Sequence, residues 1–344
     1  MLGFSKDIGV DLGTANSLIY LKGGGIIINQ PSVAAVNNKT SQIIAVGDEA
    51  KHMLGRTPPH INVVKPLVNG VISDFEVTQE MLRQFLRLGN KSKFTNYRLA
   101  VVGVPSNLTE VERKSVEDAA LGAGASRAYI IEEAVAATLG AGLPIESPTS
   151  NMVIDIGGGT TDVAIISMGG IVVSKSLKIA GDRLNQDIIN FIREEFKLII
   201  GEPTAEEVKI AVGSVMPIDE KLELAIRGRD LASGLPREVN IKSHQVRLAI
   251  GRSVKQIVDA AKEVIEVAPP ELVGDIYKSG VYLCGGGSLF RGFDELMARE
   301  LSVACHVIND PLTCVVRGMG MIVENFDHYK KFLENPLKPK EINL

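Results

Sequence analysis

Three short stretches carry residue types that can act together on one ligand. Each follows an apolar run: DLGTANS at 11–17, DIGGGTTD at 155–162 and CGGGSLFRG at 284–292. Glycine costs roughly 1 kcal/mol per residue in a helix interior, so three in a row mark a turn. Glycine also lets backbone N–H groups approach an oxyanion and converge on it. The Thr, Ser and Asn residues beside them add further donors. Two such turns facing one another would clamp a triphosphate from both sides. Asp11 and Asp155 repel phosphate, and make sense with Mg2+ between, an ion that keeps several waters and bridges phosphate oxygens. They are the metal candidates, whereas Asp162 either assists or holds its turn. One Gly-rich turn alone is more often only a turn. Three together, two of them with a matched Asp, reverse those odds.

Apolar strands must lead into and out of these turns. The chain opens as a β-meander: a strand from Asp7 to Val10, the turn, then SLIYL, GIIINQPSVAAV and QIIAVG. An amphipathic helix is expected at Val77–Asn90, a strand at YRLAVVGVP, and a helix at Thr109–Leu121 that begins with a Thr109/Glu112 capping box. AYIIE is a short strand, and Ala134–Leu143 is a helix of small residues. After the linker PIESPTSN the opening pattern starts again, with NMVIDIGGGTTDVAIISM mirroring DIGVDLGTANSLIYL. Duplication of a whole lobe is the economical explanation. The second half continues with a strand GIVVSKSLKIAG and helices at 182–200 and 204–215, the latter with a Thr204/Glu207 capping box. EVNI is a strand, Gln245–Val267 a long helix, GVYLC a strand before the third turn, with helices from Phe293 and over Arg317–Phe332.

Composition allows a large core and limits the alternatives. The 344 residues are 45% hydrophobic and 23% charged, with a net charge of -4, which gives no ground for nucleic-acid binding. Cys284, Cys305 and Cys314 form no metal-ligand spacing and fit reduced thiols. The start lacks the pattern of a signal peptide, and no apolar run is long enough to span a membrane. There is no GxxxxGK[ST], no GxGxxG after a strand and no GxSxG elbow.

In this order, DLGTANS, VVGVPSNLTEVER, IIEEAVAATLGAGL, DIGGGTTDVAII, AGDRLNQDI, GEPTAEEVKI and YLCGGGSLFRG resemble the actin superfamily of actin, heat-shock chaperone ATPases and sugar kinases. The likeness is nearest to the MreB-type bacterial actins and runs from about residue 5 to 325. It implies an α/β fold of two duplicated ribonuclease-H-like lobes, each with a smaller inserted subdomain, around a nucleotide cleft. The implied divisions are 1–31, 72–144 and 318–344 (IA), 32–71 (IB), 145–181 and 245–317 (IIA), and 182–244 (IIB).

The resemblance also implies ATP or ADP with Mg2+ as cofactors. Gly13, Thr14, Ala15 and Asn16 match its first phosphate loop, and Gly157, Gly158, Gly159 and Thr160 its second. Gly286, Gly287, Ser288 and Leu289 match the adenosine motif, while Glu206, Glu207 and Lys209 lie where the family packs a helix against the nucleoside. Glu133 matches the acidic residue that positions the attacking water. The choice of Glu133 over Glu132 rests on alignment alone, and Ala134 replaces the usual proline. Thr161 has two readings: it senses the γ-phosphate, or it only holds the hairpin.

The implied function is a slow ATPase that polymerises head to tail into filaments at the inner face of the cytoplasmic membrane. There it would maintain rod shape with cell-shape and wall-synthesis membrane proteins. The alternative is a small-molecule kinase of the same superfamily, for which Asp74 and Asp182 are the candidate catalytic carboxylates. Leu2 and Phe4 beside Lys6, or Phe94 among Lys91, Lys93 and Arg98, are the candidate membrane contacts; a solvated loop with one packed Phe explains the latter as well.

Overall fold

A computed structural model describes residues 6–89, 97–218 and 222–333. Leu2, Phe4, Lys91, Lys93 and Phe94 lie outside the described residues. The chain divides into two compact units, 1–145 with 313–344, and 146–312.

The first unit opens with the meander β1 (Lys6–Leu12), β2 (Asn16–Leu21) and β3 (Gly25–Pro31). A small layer follows: β4 (Ala34–Asn37), β5 (Ile43–Val46), α1 (Asp48–Met53) and β6 (Ile61–Val64), with β4 central between β5 and β6. The hairpin β7 (Leu67–Val68) and β8 (Val71–Ile72) leads to α2 (Phe75–Leu88). This helix buries Thr78, Met81, Leu82, Phe85 and Leu86, the i, i+3, i+4, i+7, i+8 stripe of a helix lying on a sheet. It starts before the expected Val77 because the Asp74 carboxylate accepts from the Val77 amide and caps it.

Next come β9 (Tyr97–Val104), α3 (Glu110–Ala123), β10 (Ala128–Glu132) and α4 (Glu133–Gly140). The Thr109/Glu112 capping box on α3 is present. The sheet order is β10-β9-β1-β2-β3, with β1, β9 and β10 parallel.

The second unit repeats this plan. β11 (Asn151–Ile156), β12 (Thr161–Ser167) and β13 (Gly170–Leu177) form the meander. Then follow α5 (Gly181–Phe196), β14 (Leu198–Ile199), α6 (Glu202–Val212), β15 (Glu223–Asp230), β16 (Pro236–Lys242), α7 (Ser243–Val267), α8 (Pro270–Ser279), β17 (Val281–Cys284), α9 (Phe293–Leu301) and β18 (Cys305–Val307). Its five-stranded sheet runs β18-β17-β11-β12-β13, with β11, β17 and β18 parallel. Strand for strand this is the order and sense of the first sheet. The chain then returns to the first unit as α10 (Cys314–Glu324) and the short α11 (Phe326–Tyr329).

Several boundaries differ from the sequence reading. α5 stops at Phe196 because Lys197 takes a left-handed φ of 53° and Leu198 is fully buried in a ladder with Asp230. α6 begins at Glu202, capped by Gly201 with no side-chain cap. Pro203 in the first turn pre-sets the helix, so Thr204 is already inside it and no Thr204/Glu207 capping box forms. The sequence reading has no counterpart for α1, β6, β7, β8, β14, β15, α8 or β18. Among the described residues no helix is long and apolar enough to cross a membrane.

Candidate functional site

Each sheet presents one polar turn at the carboxyl edge of its central strand, where ligands of open α/β sheets bind. In the first unit Asp11 is the penultimate residue of β1, and the chain reverses through Gly13–Ala15 into β2. A Cβ at Gly13 would lie 2.6 Å from the Asn16 carbonyl oxygen, so the reversal requires glycine. Ser32 fixes the back of this turn. Its Oγ donates to the Gly13 carbonyl at 2.5 Å and its N–H to the Ala15 carbonyl at 2.9 Å.

Among the described residues no peptide is cis, and in a planar trans peptide the C=O and the following N–H point opposite ways. The N–H groups of Thr14 and Asn16 therefore face away from Ser32, outward from the turn. The Thr14 hydroxyl accepts from the Gly70 amide at 2.9 Å, which leaves its own proton to donate. Asp11 keeps part of its surface accessible, yet enough protein surrounds its carboxyl that burial pushes it up to about 7. A cation beside it would reverse that shift.

At the same edge, two strands away, β10 ends at Glu132 and α4 starts at Glu133. The two acids have different duties. Glu132 accepts from Arg113 Nη2 at 3.1 Å, across the loop before α3. Glu133 lies beside Gly103, where a Cβ would stand 3.3 Å from its Cγ and overlap the Met319 methyl.

The second unit builds the matching turn. Asp155 is the penultimate residue of β11 and stands directly across the ladder from Asp162 of β12. Both are buried, 8% and 3% exposed. Asp155 and Asp162 face one another as like charges on the same side of the sheet, a costly cross-strand pair in itself. Among the described residues no group of three or more His, Cys, Asp or Glu is placed to hold a metal.

The Gly157 N–H donates to Thr160 at 2.9 Å and closes the turn. The Gly157 and Gly158 carbonyls accept from the first amides of α5, Gly181 at 3.1 Å and Asp182 at 2.8 Å. By the same planarity the N–H groups of Gly158 and Gly159 point away from α5, side by side. Consecutive amides so turned form an anion-binding nest. Thr161 is fully buried and its hydroxyl donates to the Ile179 carbonyl at 2.7 Å. This bond ties the turn to the segment before α5.

β17 pairs with β11 and brings the third turn to the same place. Gly285 has φ 75°, and a Cβ there would meet Asp155 Oδ1 and the Ile156 carbonyl. A Cβ at Gly287 would strike the Ile156 side chain. A 3-10 turn spans Gly286–Leu289; Ser288 is buried and its Oγ donates to the Gly285 carbonyl at 2.7 Å, whereas Leu289 is exposed. On α6, Glu206 Oε2 accepts from Asn185 at 2.6 Å and Lys209 at 2.9 Å, and Lys209 Nζ also donates to the Gly181 carbonyl at 3.3 Å. Glu207 lies on the exposed face of the helix.

The second unit thus unites Asp155, Gly157–Thr160 and Gly286–Ser288, with Glu206 and Lys209 joined to them through α5. Glu207 is exposed on α6, and Thr161 bonds the Ile179 carbonyl. Ser32, Gly70 and the α5 amides, which hold the turns from behind, were missed in the sequence. AGD at 180–182, a small-residue entry to a helix directly after a strand, was the available signal for the last of these. Of the kinase candidates, Asp74 caps α2 and Asp182 lies in the first turn of α5.

Comparison with known proteins extends the match over the chain. The family model described as MreB/Mbl protein matches residues 5–331. The cell shape-determining protein Mbl of Bacillus subtilis is 48% identical over 95% of this chain and 98% of its own length. The cell shape-determining protein MreB of Escherichia coli K12 is 45% identical over 94% and 95%. Among solved structures, MreB 5 of Spiroplasma citri bound to AMPPNP superimposes with a TM-score of 0.90 at 40% identity, over 95% of this chain and 98% of that one. A MamK double helical filament gives 0.79 at 22% identity over 93% and 99%, a likeness of fold. The chain belongs to the MreB/Mbl family of bacterial actins.

Proposed function

We propose that the chain binds ATP with Mg2+, hydrolyses it slowly, and polymerises head to tail into filaments that lie on the inner face of the cytoplasmic membrane. In this role it maintains rod cell shape together with wall-synthesis membrane proteins. The observation that carries the reading is the doubled turn: two glycine turns, each at the end of a central strand, with carbonyls held from behind and amides directed outward. The relatives' names as cell shape-determining proteins and the nucleotide in the Spiroplasma structure support it.

Gly13–Asn16 and Gly157–Thr160 hold the phosphates, with outward amides at Thr14, Asn16, Gly158 and Gly159. The Gly286–Leu289 turn lies under the adenosine, and Glu206 and Lys209 flank the nucleoside. Asp11 and Asp155 are the residues that would hold Mg2+, which when bound would supply charge neutralisation on the phosphates. Glu133 orients a water, while Glu132 stays with Arg113. Thr161 acts by fixing the turn against the strand-to-helix segment at Ile179. Slow turnover suits a filament clock better than a metabolic enzyme. Open, non-closing head-to-tail contacts give the filament. The same reading divides each unit into a large layer and a small one, with the β4–β6 and β14–β16 sheets in the inserted parts.

Sedimentation with Mg-ATP tests this. Pelleting that rises with protein concentration and depends on nucleotide is expected. A chain that stays in the supernatant at every concentration and salt, and phosphorylates a sugar instead, overturns it.

A further inference from the structure

The opposite edge of the first unit's sheet carries a second charged site. Asp11 lies near the end of β1 and Asp7 near its start, so about 13 Å of strand separates them. At the Asp7 end a cavity of about 540 Å3 is lined by Lys22, Arg98, Arg127, Tyr129, Phe326 and Lys330 among others. These basic residues converge from separate elements: the β2–β3 turn, β9, the entry to β10 and the segment after α11.

Their neutralisation is uneven. Asp7 is 3% exposed and takes Arg98 in a two-pronged pair through Nε and Nη2. Lys22 reaches the same carboxylate only at 3.9 Å. Glu324 is occupied by the Gly23 amide at 2.7 Å and the Tyr20 hydroxyl at 3.3 Å. Arg127 and Lys330 are exposed and make no ion pair among the described residues, and Asp327 is the one further carboxylate in the lining. Four basic side chains thus face three carboxylates, an excess of one positive charge on a chain whose net charge is negative. Donors arriving from several directions match the tetrahedral oxygens of a phosphate, with arginine supplying the planar fork and lysine the point charge. Tyr129 and Phe326, stacked edge to face at 5.2 Å, offer an apolar wall for the group the phosphate carries.

We propose that this cavity is a second anion site, which takes the phosphate group of a phosphate ester through Lys22, Arg127 and Lys330 over the Arg98–Asp7 floor. The ester is either a phospholipid headgroup or a soluble metabolite; the site chemistry is the same. The proposal is independent of the nucleotide reading, since it uses the other edge of the sheet.

The test uses the full chain saturated with AMPPNP and Mg2+. Glycerol 3-phosphate binding is followed by calorimetry, and flotation is measured with vesicles of phosphatidylglycerol in phosphatidylcholine. Arg127→Ala/Lys330→Ala is compared with Lys39→Ala/Lys51→Ala, an equal charge change on exposed residues elsewhere in the unit. If the headgroup is the ligand, the first variant loses glycerol 3-phosphate binding, and its vesicle partition falls about 30-fold, from roughly 1 kcal/mol per basic residue. The second variant stays at wild-type level. Loss of glycerol 3-phosphate binding with unchanged flotation sustains the site with a soluble ligand. Unchanged binding of both probes, or equal losses in the two variants, overturns it. Fluorescent ATP binding by the first variant stays at wild-type level, which separates failure of this site from failure of the nucleotide site.

Discussion

Helices α4 and α10 cross with backbone against backbone, and Gly318→Ala probes that crossing. A Cβ on Gly318 would overlap the carbonyl oxygen of Ala136 and lie 2.7 Å from its carbon and 3.0 Å from the Gly140 nitrogen. Gly140 is the reciprocal case: its Cβ would overlap the Cys314 carbonyl oxygen and approach the Gly318 nitrogen to 3.0 Å. Two effects oppose each other. Alanine is the better helix former by about 1 kcal/mol. Against this, carbon contacts relax near 3.5–4.0 Å, so the helices must part by about 1 Å, and neither obstacle is a side chain that can rotate aside. Val135, Leu139, Val315, Met319 and Ile322, all buried, lose contact as they do.

Overpacking a tight core costs about 1–3 kcal/mol, and a clash with fixed backbone belongs at the upper end. The net expectation is a loss of about 2 kcal/mol, or roughly 4–8 °C in Tm for a unit of this size. Calorimetric melting of the nucleotide-free protein measures it. Because α4 begins at Glu133, ATP turnover should fall as well. Gly140→Ala/Gly318→Ala should lose less than the sum of the single changes, since one methyl already separates the helices. An unchanged or raised Tm for Gly318→Ala would mean that propensity outweighs packing, and would refute the reasoning.

Other variants separate the roles within the site. Glu133→Gln should lower ATP turnover by about 100-fold or more while leaving ATP affinity intact; Glu132→Gln should reduce thermal stability by loosening Arg113, read as a lower Tm. Asp155→Asn should weaken nucleotide binding about tenfold or more with Mg2+ present and leave binding in EDTA unchanged, as titration of a fluorescent ATP would show. Thr161→Val keeps the shape but strands the Ile179 carbonyl, a loss of about 1–3 kcal/mol, visible as a lower midpoint in urea. Burial, and then the Asp294 charge, push the Cys305 thiol up to about 11. Its thiolate is scarce at pH 8, so alkylation should quicken about tenfold per pH unit up to that value, followed by peptide mass spectrometry.

Much of the first unit could be read from local signals because those signals agree. Thr109 and Glu112 mark a helix start by themselves, and Gly-rich turns after apolar runs mark strand ends. What escaped was set by distant partners. Leu198 and Ile199 continue a helical pattern, and only the ladder with Arg229 and Asp230 turns them into a strand. β15 has just Leu224 and Ile226 on its inner face, followed by Gly228, Arg229 and Asp230, too few apolar residues to announce a period of two. α8 is the exception, since Pro269-Pro270 is a local start signal, with Pro270 as its first residue. Thr161 shows the same limit at the site. Its type and position allow a phosphate contact, and its partner, Ile179, is 18 residues away.

The repeat of DLGTANS in DIGGGTTD gains its meaning from topology. Both sheets have the same strand order, and Asp11 and Asp155 are penultimate on the same strand of each. Yet the two turns are held differently from behind. In the first, one residue, Ser32, takes the Gly13 and Ala15 carbonyls with its hydroxyl and its amide. In the second, the amides that open α5 take the Gly157 and Gly158 carbonyls. Both devices fix the carbonyls on one side, and peptide planarity then delivers the amides to the other. The duplication therefore preserved the direction of the N–H groups while the means of fixing them diverged. Glycine is needed at Gly13 because the chain closes on itself there, and at Gly285 because Asp155 and Ile156 already fill the space a side chain would take. Packing thus explains these two glycines without a ligand; the outward amides are what call for one.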